Sequence, residues 1–160
     1  MAERTNILTV VVSVFNEEEA LPLCRERLTE VLERSGRPYA LLFVNDGSSD
    51  GSAALLDRFA AEDARIRVLH FSRNFGHEAA MIAGIDYAEG NVICMDADLQ
   101  HPPQCISEIV RAFDEGFDVI SMVRTANRSA GLIKNITSAG FYGVMNALSG
   151  TRFEKNASDF

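Results

Sequence analysis

Apolar runs recur along the chain at regular intervals, separated by segments of helical period, and each run ends in a polar cluster. Residues 7–14, ILTVVVSV, are too continuously apolar for a strand with one wet face, so they predict a central strand of a parallel sheet. Over 15–36, Leu21, Cys24, Leu28, Val31 and Leu32 fall at helical spacing, and Gly36 is the stop. Asn16 and Glu19 stand in a capping-box relation, which predicts a helix that begins there. YALLFVN (39–45) predicts a second strand. Residues 51–63 form a second helix with Leu55, Leu56 and Phe59 inward, and IRVLHF (66–71) a third strand. A helix over 77–88, ended by Gly90, and a strand over 91–96 follow. Pro102 and Pro103 open a helix whose inner face is Ile106, Ile109, Val110 and Phe113. FDVISMV (117–123) predicts a fifth strand, and 130–148 a last helix weakened by Gly140 and Gly143.

Strand and helix in alternation predict an α/β fold, a mostly parallel sheet with helices on both faces, in one domain over 1–160. In such sheets ligands bind at the carboxyl ends of the strands. Each predicted strand is followed there by charged or amide groups: FNEEE, NDGSSDGS, SRNFGHE, DADLQHPP and RTANR. One rim therefore carries nearly all the candidate chemistry.

Composition narrows the chemistry. The net charge of −8 argues against a nucleic-acid partner. The charge is uneven, with 10 Lys/Arg against 21 Asp/Glu over 1–123 and 5 against 2 over 124–160, so the later segment suits an anionic partner. Three cysteines, Cys24, Cys94 and Cys105, lack metal-site spacing and read as reduced thiols of a cytosolic compartment. No apolar run approaches the ~20 residues that span a bilayer, so this piece reads as soluble.

The sharpest feature is Asp96 and Asp98 at the end of the fourth strand. Side chains at i and i+2 of an extended segment share a face, and two close carboxylates repel unless solvent or a cation screens them. Neither G-x-G-x-x-G after the first strand nor a P-loop lysine motif is present. An acidic rim takes phosphates only through a divalent cation, and carboxylates are the hard oxygen ligands that Mg²⁺ or Mn²⁺ prefers.

VVVSVFNEEE, VNDGSSDGS, RNFGHEAAMIAGIDYAEGN, MDADLQHPP and DVISMVR together resemble the successive motifs of glycosyltransferase family 2, which has the GT-A fold. DADLQ and the later SDF resemble its bactoprenol and dolichyl-phosphate sugar transferases. The resemblance implies that Ser13, Phe15, Glu17, Val44 and Asp46 hold the nucleoside of a UDP- or GDP-sugar. It further implies that Asp96 binds ribose or metal, Asp98 the metal, Ala97 and Gln100 the diphosphate-sugar region, and Arg124 the diphosphate. Asp159 matches an acid of the bactoprenol enzymes and is a candidate catalytic or positioning group. Ser13 departs from the family's usual proline and Asn91 from its usual aspartate, changes expected to touch no charged ligand.

Relatives with hydroxyl acceptors carry a Glu-Asp motif as base near the fifth strand, and none is found here. A polyprenyl phosphate acceptor explains this, because a phosphate monoester is largely a dianion at neutral pH. The relatives continue into interfacial helices and membrane spans. The chain is therefore expected to be the catalytic part of a longer protein at the cytoplasmic side of the cell membrane, with self-association left open. A soluble family 2 enzyme with a saccharide acceptor, a nucleotidyltransferase, and a non-catalytic nucleotide-sugar-binding domain are the alternatives. Among the bystanders, Asp50, Gly47 and Gly51 read as turn-makers and Arg73 and Asn74 as loop braces. His70 reads as a buried strand end, His77 as a helix cap and His101 as loop filling.

Overall fold

The computed structural model describes residues 7–98 and 103–122. Residues up to Phe117 form one unit, and those from Asp118 onward belong to a second. The first unit runs β1 (Leu8–Val14), α1 (Leu21–Arg34), β2 (Tyr39–Asn45), α2 (Ser52–Glu62), β3 (Ile66–His70), α3 (His77–Tyr87), β4 (Asn91–Asp96) and α4 (Cys105–Asp114). The four strands form one parallel sheet in the order β3-β2-β1-β4.

Every residue of β1 and β2 is buried, as their unbroken apolar sequence predicts for strands covered on both faces. On one face Phe43 meets Phe59 of α2, with ring centroids 6.5 Å apart. On the other, Val11, Leu42 and Val44 pack with Ala80 of α3. The sheet thus has helices on both sides, and α3 lies closest. A Cβ on Gly84 would overlap Val11 Cγ1 and stand 3.2 Å from Val44 Cγ2, so glycine here lets the helix settle onto the strands. α4 buries Ile106, Ile109 and Val110, while Phe113 is only half-buried.

Two expectations need correction. α1 begins at Leu21 with Pro22 in its first turn, not at the expected capping box. Asn16 sits at φ 57°, and its Oδ1 accepts hydrogen bonds from the Ser49 amide (2.8 Å) and hydroxyl (3.3 Å). A side chain spent on the neighbouring loop cannot cap its own helix. The fifth strand is missing from residues 117–122, where Val119 is 87% exposed. β-branched composition supplies propensity, but a strand exists only through its ladder partners. Residue 123 and the predicted helix over 130–148 lie outside the described residues.

Candidate active site

Four parallel strands deliver their carboxyl ends to one edge, and side-chain bonds knit the loops that follow. The loop after β1 is fastened to the loop after β2. The Asn16 amide donates to Ser48 Oγ (3.0 Å), the Glu17 amide to Ser52 Oγ (2.9 Å) and the Glu18 amide to Asp50 Oδ2 (3.1 Å). Asp50 Oδ1 also accepts from the Ser52 amide at the start of α2 (3.0 Å). Gly47, at φ +67°, passes so near the next loop that a Cβ would overlap the Arg73 carbonyl carbon and lie 2.6 Å from the Asn74 amide nitrogen. Gly47 and Asp50 thus make the turn as the sequence suggests, and Arg73 and Asn74 meet it through their backbone.

Asp46 ties the second loop to the third. It is 3% exposed, with Oδ1 accepting from the Phe75 amide (2.7 Å) and Oδ2 from the Gly76 amide (2.9 Å). Gly76 is the N-cap of α3, so this buried carboxylate closes the amino end of that helix. Phe75 carries the guanidinium of Arg73 over its ring at 4.8 Å and remains about half exposed, as does Phe15.

Asp96 ends β4 directly opposite Ser13 in the sheet register. Ser13 Oγ donates to Asp96 Oδ1 at 2.8 Å, and His77 Nδ1 lies 3.0 Å from Ser13 Oγ and 3.3 Å from Asp96 Oδ1. This corrects two expectations. The serine in place of the family's usual proline does touch a charged group, because the register sets its hydroxyl against Asp96. His77 leaves the capping of α3 to others and turns its ring to Asp96. His70 is also no buried strand end: it is exposed, linking Asn45 Nδ2 to Asp57 Oδ1 at 3.0 Å on each side.

Ala97 is buried and Asp98 exposed. Val44 is wholly buried in the core with Val11 and Ala80. Glu17 is half-buried, and its carboxyl is raised above its ordinary value by burial first and then by Asp98, Asp50 and Asp96. Below them the Cys24 thiol is pushed up to about 12 by burial, then by Asp98 and Glu17. The acids after β1, β2 and β4 therefore share one negative field at the rim. Gln100, His101, Arg124 and Asp159 lie outside the described residues.

Among the described residues, no three His, Cys, Asp or Glu side chains gather closely enough to cage a metal alone. Mg²⁺ and Mn²⁺ are commonly held by one or two carboxylates plus ligand phosphate oxygens, and the hard oxygens of Asp96 and Asp98 in that field fit such a cation. Sequence reasoning missed His77 and Phe75, since the register and the Asp46 bonds that bring them to the rim are long-range.

The family model for Glycosyl transferase family 2 matches residues 9–155. The chain belongs to that family. It is 41% identical over 133 residues to the undecaprenyl-phosphate 4-deoxy-4-formamido-L-arabinose transferase of Salmonella paratyphi B, covering 82% of this chain and 40% of that one. It is 35% identical over 154 residues to the prophage bactoprenol glucosyl transferase homolog of Escherichia coli, covering 96% and 50%. The chain thus spans about half the length of the curated relatives it matches. Among solved structures, the mannosyltransferase PcManGT of Pyrobaculum calidifontis in complex with GDP-Man and Mn²⁺ aligns with a TM-score of 0.56 at 22% identity, covering 79% of this chain and 37% of that one. The fold is GT-A, the class the sequence predicts.

Proposed function

We propose that this domain binds a UDP- or GDP-sugar at the rim and, within the whole protein, transfers the sugar to a polyprenyl phosphate with inversion. The observation that carries the donor half is the acidic field around Asp96, Asp98 and Glu17, which suits a nucleoside diphosphate only together with a divalent cation. Asp98 and the free side of Asp96 hold that cation. When bound, the ion offsets the charge that builds on the departing diphosphate. Phe15 offers an exposed ring to the nucleoside, and Asp46 fixes the loop at Phe75 and Gly76 that walls the same rim.

The acceptor half is supported by the names of the relatives, two of which carry undecaprenyl phosphate or bactoprenol in their titles. An acceptor phosphate oxygen forms the bond to the anomeric carbon as the bond to the diphosphate oxygen breaks, and the electron pair leaves with the nucleoside diphosphate. A phosphate dianion needs orientation and cations rather than a general base. The positive excess over residues 124–160 supplies cations, and in the whole protein it suits the anionic cytoplasmic face of a membrane. Among the described residues no helix is long and apolar enough to cross a membrane.

Calorimetry with UDP and GDP, in Mn²⁺ and then in EDTA, tests the donor site. One nucleotide is expected to bind only with Mn²⁺, and Asp98→Ala to abolish that binding. Metal-independent binding that survives Asp98→Ala would overturn the assignment. For the acceptor, Arg128→Glu with Lys134→Glu in the whole protein is expected to lower transfer to undecaprenyl phosphate in vesicles and to leave donor binding intact. Wild-type transfer by that variant would remove the basic segment from the reading.

A further inference from the structure

We infer that Ser13 and His77 form a two-residue brace that turns Asp96 so that one carboxylate oxygen is anchored and the other is left for ligand. The inference rests on the donor-site reading above and deepens it.

Ser13 has one hydroxyl proton, which it gives to Asp96 Oδ1 at 2.8 Å. Its oxygen is then left to accept, so His77 Nδ1 carries the hydrogen that points to it at 3.0 Å. The same Nδ1 stands 3.3 Å from Asp96 Oδ1. The hydrogen bonds thus run one way, from imidazole to hydroxyl to carboxylate, and among the described residues all of them reach Asp96 through Oδ1. A carboxylate held by one oxygen keeps a fixed plane, and Oδ2 is left unspent.

Each member comes from a different element. Ser13 is in β1, Asp96 is its direct partner on β4, and His77 is the first residue of α3, whose entry is fixed by Asp46 through Phe75 and Gly76. Orientation of Asp96 therefore depends on the sheet register and on the seating of α3. A residue without a hydroxyl at position 13 could not take part. Ser13 and His77 are positioning residues: they act on ligand through Asp96.

The test is calorimetric binding of UDP and GDP in Mn²⁺ by Ser13→Ala, His77→Ala, the double variant and His77→Asn, with thermal unfolding of each. His77 has a side chain 46% exposed, so its replacement leaves the core untouched. Loss of an outer partner of a metal-binding carboxylate costs roughly tenfold or more in affinity. Each alanine variant is expected to bind about tenfold more weakly, at an unfolding temperature close to wild type. The double variant is expected to lose little more than either single one, because the two residues act in one chain of bonds. His77→Asn, whose amide N–H can reach the position of Nδ1, should recover most of the loss. Wild-type affinity in Ser13→Ala and His77→Ala, alongside lost binding in Asp98→Ala, would overturn the brace and leave the donor site standing. Failure of the wild-type chain to bind either nucleotide with Mn²⁺ would overturn the donor site, and the brace with it.

Discussion

Asp46 and Gly76 are joined by a 2.9 Å hydrogen bond from the glycine amide to Oδ2, and the neighbouring Phe75 amide binds Oδ1. A residue placed by motif as a nucleoside ligand is thus also the fastening between two rim loops. Asp46→Ala is expected to weaken UDP or GDP in Mn²⁺ more than it weakens pyrophosphate in Mn²⁺, since the fastening lies apart from the acids of β4. It should also cost about 1–3 kcal/mol of stability by leaving two amides unpaired. Equal losses for nucleotide and pyrophosphate would confine Asp46 to a structural role.

Gly84→Ala sets two effects against each other. Alanine favours a helix by about 1 kcal/mol over glycine, whereas forcing a methyl group into a packed core costs about 1–3 kcal/mol. Val11 is fully buried and stiff at χ1, so overlap with its Cγ1 wins. Urea unfolding is expected to show a net loss of up to about 2 kcal/mol. Adding Val11→Ala should recover part of it, which a double-mutant cycle reads directly.

Glu17 carries a carboxyl raised above its ordinary 4.5, so the fold disfavours its charged form. That cost is present in full above the raised value. It falls away as pH drops toward 4.5, below which folded and unfolded chains are both protonated there. In EDTA, Glu17→Gln is expected to unfold at a higher temperature than wild type at pH 7. The advantage should shrink as pH falls through the raised value and vanish below 4.5. An advantage independent of pH would mean that the charge on Glu17 is not its source.

The three cysteines are free and differ in environment. With its thiol pushed up to about 12 and no exposed surface, Cys24 should resist iodoacetamide at pH 8 in the folded chain. Cys94, whose thiol burial also raises, should label slowly, and half-buried Cys105 fastest. Mass spectrometry of the labelled peptides gives the order. Rapid labelling of Cys24 would show that α1 opens readily.

Much of this arrangement was legible in the chain. The unbroken apolar runs 7–14 and 39–45 marked strands buried on both faces, and 91–96 marked β4 to the residue. Asp96 and Asp98 marked the rim because two acids close an apolar strand there. Where sequence reasoning failed, long-range bonds had overruled a local signal. Asn16 had the form of a cap, but a hydrogen bond to Ser49, 33 residues away, took its side chain. His77 looked like a helix start and nothing more, because its nearness to Asp96 follows from how α3 crosses the sheet. The run 117–122 had strand composition without a ladder.

The strand order carries a consequence for how the chain is made. β1 leaves the ribosome first, yet it lies between β2 and β4, and the bond from Ser13 to Asp96 spans 83 residues. β2 and β3 can pair early with only a helix between them. Until residue 96 is out, the Val10–Val14 stretch has one unpaired flank, β-branched and apolar, of the kind that chaperones hold and that neighbouring nascent chains can capture. β4 ends that exposure, and Asp96 is its last residue. Shelter for the nascent sheet and assembly of the acidic rim therefore arrive in a single step of synthesis.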